Sequence, residues 1–209
     1  MAKLDRETVI HAALDLLDEV GVDGLSTRRL AERLNVQQPA LYWHFRNKRA
    51  LLDALAETML AENHTRSLPE SGEDWRMFLK ANAHSFRKAL LAYRDGARIH
   101  AGTRSTASQY AFAEAQVRFL CRAGFSPQDA VRTLVVISHY TVGAVLEQQS
   151  SAANAHERPT PERPTMTGPS AFLSKAFEEI EHGGAEVTFD YGLDALIAGL
   201  ATDRRDTRQ

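Results

Sequence analysis

Two short helical patterns separated by a break, in residues 27–45, most constrain how this chain can fold. Leu30 and Leu34 lie four residues apart in the first pattern, and Leu41 and Phe45 do so in the second, so each pair shares one helical face. Pro39 suits the first turn of the second helix, where its missing N–H needs no partner. Ser26 or Thr27 can cap the first helix. Two short helices joined by a tight turn predict a helix-turn-helix.

The surface of this helix pair is basic, although the chain as a whole is not. Residues 26–50 hold six basic residues and one acidic residue, a local net charge of +5, whereas the whole chain carries −2. Such a patch can hold phosphates, and side chains that reach base edges add sequence preference. A solvated basic face on an ordinary helical domain is the alternative. The adjacent rings of Tyr42 and Trp43, predicted to face outwards, favour DNA over that alternative.

The types of side chain on this surface predict how each would contact DNA. Arg28 and Gln38 are expected to contact bases, because arginine suits guanine and glutamine suits adenine. Thr27, Tyr42, His44 and Lys48 are expected mainly to hold phosphates. The predicted DNA-binding set is Thr27, Arg28, Gln38, Pro39, Ala40, Tyr42, Trp43, His44 and Lys48.

The chain is predicted to be all-α with three parts: a helix-turn-helix head at 1–46, a connecting helix at 47–66, and a ligand-binding and dimerisation domain at 67–209. A three-helix head, its first helix capped by Asp5, joins the larger core through a helix from about Lys48 to Asn63. Residues 150–168 carry several prolines and little to bury, which predicts a mobile loop.

The larger domain is expected to contain helices broken by glycine and proline. They span Trp75 to about Leu91, a short stretch to Ala101, a segment ending before Gly124, Pro127 to about Ser150, a short helix ended by Gly183 and Gly184, and about Ala185 to Leu200.

Two of these helices have more apolar surface than one subunit can cover. The helix from Pro127 is apolar on more than one side, and the last helix repeats leucine or isoleucine at positions 193, 196, 197 and 200. Packing both against their symmetry mates as a four-helix bundle predicts a homodimer, which would suit a palindromic DNA site. A large monomeric core is the alternative.

The chain is expected to stay in the cytoplasm. Asp5, Arg6 and Glu7 interrupt any basic-then-apolar leader, and no uninterrupted apolar stretch approaches the roughly 20 residues of a membrane span. No membrane partner is therefore predicted. The single cysteine, Cys121, excludes an intrachain disulfide and is expected in or near the core.

Two motifs carry a family resemblance. The run Leu41–Ala56 and the later run His100–Arg104 resemble the tetracycline repressors of the TetR family. The resemblance covers about Leu4 to about Leu200, although Ser105 stands where many members have proline. It implies a transcriptional repressor, not an enzyme, that binds a palindromic operator as a homodimer. A tetracycline–magnesium complex would release it and derepress a tetracycline resistance (efflux) gene.

The same resemblance implies a ligand site. His64, Asn82 and Gln116 would bond the polar edge of tetracycline, and Phe86 would pack on its rings. Thr103 and Arg104 would complete the pocket. His100 would bind Mg²⁺ brought by the ligand, with Thr103 and Glu147 acting on the metal through water.

Two other functions fit part of the sequence. A TetR-family repressor sensing a different small molecule would explain the head equally well. A metal-dependent hydrolase on a helical bundle would use His64, His100, His139 and Glu147, but it leaves the basic helix pair without purpose. The chain has no H-E-x-x-H motif and no cysteine pair, so His139 is expected in a pocket wall or in the core.

Overall fold

A computed structural model describes residues 4–101, 103, 107–155 and 170–206. Every regular element in these ranges is a helix, which confirms the predicted all-α class. The helices are α1 (Arg6–Gly24), α2 (Thr27–Arg33), α3 (Gln38–Tyr42), α4 (Lys48–Asn63), α5 (Trp75–Leu91), α6 (Gly96–Ala101), α7 (Ala107–Arg122), α8 (Pro127–Ala155) and α9 (Ala171–Asp206).

Local hydrogen bonds define the helix-turn-helix of α2 and α3. The Ser26 hydroxyl accepts from the Arg29 N–H and caps α2. Asn35 adopts a left-handed φ of 52°, and the next N–H, that of Val36, bonds to the Ala31 carbonyl 3.0 Å away. This is a Schellman ending, which turns the chain sharply into α3. Pro39 lies in the first turn of α3, as predicted.

A first core cluster holds the N-terminal helices together. Leu17, Leu30 and Leu41, from α1, α2 and α3, are buried in it. Leu55 and Met59 of α4 also belong to it, as does Ile99 of α6. The head is therefore packed on α4 and directly on α6. The predicted domain boundaries at 46 and 66 remain predictions.

The remaining helices form a second core around α5 and α8. Phe78, Leu120, Ile137 and Leu193 come from α5, α7, α8 and α9 and are all buried in this cluster. A smaller cluster joins Phe86 and Leu90 of α5 to α6 and α8. The core therefore surrounds the space in which α5, α6 and α8 meet.

Helix α8 is longer than predicted. It continues to Ala155, beyond the expected end near Ser150, because Ser150–Ala155 contains neither proline nor glycine and is rich in alanine. The rest of the predicted loop, 156–168, lies outside the described residues. Residues Pro127–Ala152 are also long and apolar enough to cross a membrane by length and composition alone, although Gln128, Asp129 and Arg132 interrupt their apolar run. In the structure this helix packs against α5, α6, α7 and α9.

Helix α9 contains the break predicted at the glycine pair. Gly184 has φ 74° and ψ 173°, so the helix is interrupted there and resumes towards Asp206. The first half exposes Phe172 and Phe177, and the second half exposes Val187 and Tyr191. The buried side of the second half carries Phe189, Leu193 and Ile197.

Candidate functional site

Side chains from α4 to α8, and from the segments that follow α4 and α6, line an open cavity of about 380 Å³. It brings together six of the seven side chains predicted to bind ligand; Arg104 lies outside the described residues. The lining residues are Leu60, His64, Asn82, Ala83, Phe86, His100, Thr103, Gln109, Ala113, Gln116, Leu134, Val135, Ile137, Ser138 and His139. His139 thus lies in the pocket wall, one of its two predicted positions.

The end of the cavity nearest α4 is polar and held by hydrogen bonds. His64 Nδ1 lies 3.0 Å from the Ser85 hydroxyl. The Asn82 amide donates to the Arg66 carbonyl at 2.9 Å, and the Gln116 amide donates to the Ser67 carbonyl at 2.6 Å. Side chains from α5 and α7 therefore fix the segment that follows α4. This end offers a ring nitrogen and two amides in set positions.

The protonation state of His64 follows from its burial. Burial, and secondarily the nearby His100, lowers the pKa of His64 from 6.5 to about 4. The ring is therefore neutral near pH 7. With Nδ1 held by the Ser85 hydroxyl, Nε2 is the ring nitrogen left to bond a ligand edge, and it lies 3.4 Å from the Asn82 amide nitrogen.

Phe86 lies between the two histidines of the cavity. Its ring centroid is 5.7 Å from that of His64 and 4.9 Å from that of His100, the second contact being edge-to-face. Phe86 lies one helical turn after Asn82 on α5, which places the amide and the ring on the same side of the helix. The cavity therefore has a flat aromatic wall joining its two ends.

His100 has the features of a metal ligand. Its Nδ1 is buried and has no hydrogen-bond partner within the described ranges. Burial lowers its pKa, so a nitrogen lone pair is available near neutral pH. The Thr103 hydroxyl, which donates to the His100 carbonyl at 2.8 Å, lies beside it.

Glu147, the last of the three predicted metal residues, is placed differently. Glu147 is exposed on α8 and does not line the cavity. Within the described part of the chain, no three His, Cys, Asp or Glu side chains group as a metal site. One imidazole cannot hold Mg²⁺ alone, because this ion prefers six oxygen ligands. His100 therefore fits a metal whose remaining ligands come from a bound molecule and from water.

The predicted DNA-binding residues lie on α2, on α3, in the turn that follows α3 and at the start of α4, and none is buried. Trp43 is 89% exposed and Tyr42 is 49% exposed, so both rings face solvent as expected. The Gln38 amide donates to the Thr27 hydroxyl at 2.8 Å, which positions it against α2. Arg28 pairs with Glu32 at 3.0 Å, and the Lys48 ammonium donates to the Val22 carbonyl at 3.4 Å.

Direct bonds connect α6 to the head. The Asp95 carboxylate accepts from the Val22 N–H at 2.9 Å. Arg98 donates to both carboxylate oxygens of Asp23, at 2.9 and 3.0 Å, and these bonds lower the pKa of Asp23. The helix that carries His100 is thus bonded to the end of α1. Sequence reasoning missed this link, since its partners lie more than 70 residues apart.

Sequence reasoning also missed several wall residues of the cavity. Gln109 and Ala113 precede Gln116 by seven and three residues and so share its helical face, a spacing that could have identified them. Leu134, Ile137 and Ser138 are residue types found on the buried face of many helices. Nothing in the sequence distinguishes their cavity-lining role.

Two family models match the chain. Residues 9–55 match the model described as bacterial regulatory proteins, tetR family, and residues 68–204 match the tetracyclin repressor-like C-terminal domain. The chain belongs to the TetR family. Its relatives are transcriptional repressors, which confirms that the protein is a regulator and not an enzyme and rules out the hydrolase alternative.

Similar proteins cover nearly the whole chain. The tetracycline repressor protein class G of Vibrio anguillarum is 63% identical over 96% of this chain and 95% of its own length. TetR from Acinetobacter baumannii AYE is 61% identical, with a TM-score of 0.83 over 97% of this chain and 99% of its own. TetR (class A) in complex with 5a,6-anhydrotetracycline and magnesium is 56% identical, with a TM-score of 0.77 over 95% and 99% of the two chains.

Proposed function

We propose that the protein is a homodimeric repressor that binds a palindromic operator in the cytoplasm and leaves it when a tetracycline–magnesium complex binds. The gene that is expressed once the repressor leaves would encode tetracycline resistance by efflux. The observation that carries this proposal is the cavity itself, with fixed amides and a neutral imidazole at one end and an unpartnered imidazole at the other. The relative that binds 5a,6-anhydrotetracycline with magnesium supports the choice of ligand.

The chemistry of the two ends supports one orientation of the drug. A tetracycline carries a keto-enolate pair that chelates metal and, on its first ring, an amide, an enol and an amine. The keto-enolate would face His100, which is the free metal ligand of the cavity wall. The first ring would then meet His64, Asn82 and Gln116, and Phe86 would pack on the fused rings. Magnesium would join the drug to His100, and Thr103 would act through water. Glu147, which lies outside the cavity of its own subunit, would reach a metal-bound water only across the dimer.

Exposed apolar surface supports the dimer. Val131 and Val136 of α8 are 48% and 47% exposed, and α9 exposes Val187 and Tyr191. Leaving these apolar side chains of two adjacent helices in contact with water is unfavourable. Pairing α8 and α9 with their symmetry mates would cover them, and would set two heads about one DNA turn apart, roughly 34 to 36 Å.

The experiment that tests this function measures operator release. Double-stranded DNA bound by the purified protein is first selected from a random pool. Release of that DNA is then followed by fluorescence polarisation during a tetracycline titration, with and without magnesium. We expect release at drug concentrations that fall as magnesium is raised. Specific DNA binding that no tetracycline reverses would instead support a repressor that senses a different small molecule.

A further inference from the structure

Ser85 lies behind the polar end of the cavity and contacts both His64 and the segment that follows α4. Its side chain is buried on α5 and is not part of the cavity lining. The Arg66 N–H donates to the Ser85 hydroxyl oxygen at 3.0 Å, and the same oxygen lies 3.0 Å from His64 Nδ1. One buried hydroxyl therefore joins a backbone amide to a ring that is predicted to bind the ligand.

These two contacts determine where the hydroxyl proton of Ser85 points. A serine hydroxyl has one proton to donate and two lone pairs that accept. The Arg66 N–H occupies one lone pair. Within the described part of the chain, His64 Nδ1 is the acceptor that remains for the proton. Because a buried donor without an acceptor is unfavourable, the hydroxyl donates to Nδ1.

A proton donated to Nδ1 fixes the tautomer of His64. The ring is neutral near pH 7, so its single proton must then lie on Nε2. Nε2 lies 3.4 Å from the Asn82 amide nitrogen, which is itself a donor and already bonds to the Arg66 carbonyl at 2.9 Å. In the opposite tautomer Nε2 would accept across this long distance, and the buried Ser85 proton would lose its acceptor. The favoured arrangement therefore leaves an Nε2–H donor at the cavity.

We infer that Ser85 is a positioning residue of the ligand site, which holds His64 as an Nε2 donor so that the facing ligand edge must offer an acceptor. The inference rests on the proposed function, in which the first ring of the drug meets His64. The enol oxygen of that ring, once deprotonated, is such an acceptor. Ser85 itself lies outside the cavity lining and would act through the imidazole.

Nitrogen-15 NMR of the full-length, drug-free protein tests the tautomer directly. Labelled histidine rings give different signals for protonated and unprotonated nitrogens, and the signals of His64 are those absent from His64→Leu. At pH 7 we expect a protonated Nε2 and an unprotonated Nδ1. In Ser85→Ala the fraction of His64 with its proton on Nε2 should fall, and Ser85→Thr, which keeps the hydroxyl, should restore it. A protonated Nδ1 in the parent would overturn the inference.

Tetracycline affinity, measured with magnesium by fluorescence titration, tests the consequence for binding. Ser85→Ala should weaken the affinity about three- to tenfold, the range expected for loss of one neutral hydrogen bond. Ser85→Thr should bind the drug like the parent. Ser126→Ala is the matched control, because it removes a hydroxyl that accepts from the Asp129 N–H at 3.1 Å outside the cavity lining. This variant should leave tetracycline affinity unchanged.

A double-mutant cycle separates action through His64 from action through the segment that follows α4. Ser85→Ala is made in the parent and in His64→Leu, which lacks the ring. If Ser85 acts through the ring, its loss should change tetracycline affinity by less than about twofold in His64→Leu. An equal loss in both backgrounds would overturn the inference and assign the effect to the bond with Arg66.

Failure of this inference is distinguishable from failure of the proposed function. If tetracycline binds Ser85→Ala as tightly as it binds the parent, the positioning role is refuted and the proposed function stands. If tetracycline does not bind the parent, the proposed function fails and the role of Ser85 in its ligand site fails with it. The tautomer of the parent is measured without substituting Ser85, so it tests the inference even where Ser85→Ala does not fold.

Discussion

At the residue scale, burial determines what His64 and His100 can do. Both side chains would titrate near pH 6.5 in water, and burial lowers the pKa of each. The two rings differ in their hydrogen-bond partners. His64 is held against Ser85, whereas His100 keeps an unpartnered Nδ1. One ring is therefore suited to hydrogen bonding and the other to a metal.

The low pKa of His64 predicts a pH-dependent stability. In the unfolded chain this ring takes up a proton near pH 6.5, and in the folded protein near pH 4. As pH falls from 6.5 to 4, the unfolded state gains a proton that the folded state lacks. The free energy of unfolding should therefore fall across this window, by about 3 kcal/mol in total, with no further loss from this group below pH 4.

Chemical denaturation at several pH values, without drug or metal, measures this effect. His64→Gln should flatten the profile between pH 6.5 and 4. His182→Gln, which changes an exposed histidine, should leave it as in the parent. An unchanged slope in His64→Gln would show that other groups cause the pH dependence.

Arg28 and Lys48 should affect DNA binding in different ways. Arg28 must exchange its exposed pair with Glu32 for a base, which costs little because such a pair contributes about 0–1 kcal/mol. Arg28→Ala should cost about 1 to 3 kcal/mol and relax preference at one base pair. Lys48→Ala should weaken all sequences alike and reduce the salt dependence. Fluorescence polarisation titrations with operator and with random DNA measure both effects. If Arg28→Ala lowered the affinity for operator and for random DNA equally, Arg28 would not read a base.

At the scale of the helix, capping residues and helix-breaking residues in the sequence predicted where most helices begin and end. Asp5, Ser26 and Asp74 cap the helices that follow them, each through a bond that spans two or three residues. Long-range contacts were not predictable in this way. The Gln149 amide donates to the Leu90 and Tyr93 carbonyls, 3.2 and 2.9 Å away, and so connects α8 to the end of α5. Nothing near Gln149 in the sequence indicates partners almost 60 residues away.

The glycine pair in α9 offers a matched test of backbone strain. Gly184 has a positive φ, and nothing lies within 4 Å of the position that an added methyl group would take, so Gly184→Ala would incur backbone strain alone. This change should lower the free energy of unfolding by about 1 to 3 kcal/mol. Gly183 is helical, and an added methyl would make only ordinary contacts with Val187. Gly183→Ala should therefore be neutral or stabilise by up to about 1 kcal/mol. Denaturant titration of both variants measures the two free energies of unfolding. Similar changes in the two variants would contradict the helix break assigned to Gly184.

At the scale of the whole molecule, α6 joins the cavity to the head. His100 lies at one side of this short helix, while Asp95 and Arg98 bond to the end of α1. Ile99 of the same helix is buried in the core of the head. A displacement of α6 would therefore be felt directly by the helices that face DNA. The sequence predicted α6 and His100, but not the bonds that make this helix a connection.

Arg98→Ala should separate ligand binding from its effect on DNA. Removing the guanidinium breaks the pair with Asp23 but changes nothing in the cavity lining. Tetracycline affinity should stay near that of the parent, while more drug should be needed to release operator. Paired fluorescence and polarisation titrations measure the two quantities. A variant that releases operator like the parent would show that the pair does not transmit the signal.

His100→Ala should instead weaken the signal at its source. A drug that binds both states equally releases nothing, and moving the population from 99:1 to 1:99 requires about 5.5 kcal/mol of differential binding. If much of that preference comes from metal held by His100, its loss should remove most magnesium-dependent tightening and raise the drug concentration needed for release. Operator affinity without drug should be nearly unchanged, because the His100 side chain lines the cavity and is not one of the groups that bond α6 to the head. Glu147→Ala should act in the same direction but more weakly, since a role through water is more easily replaced. Operator release measured across a magnesium series decides the matter: a His100→Ala protein that responds to drug and magnesium like the parent would exclude His100 as the trigger.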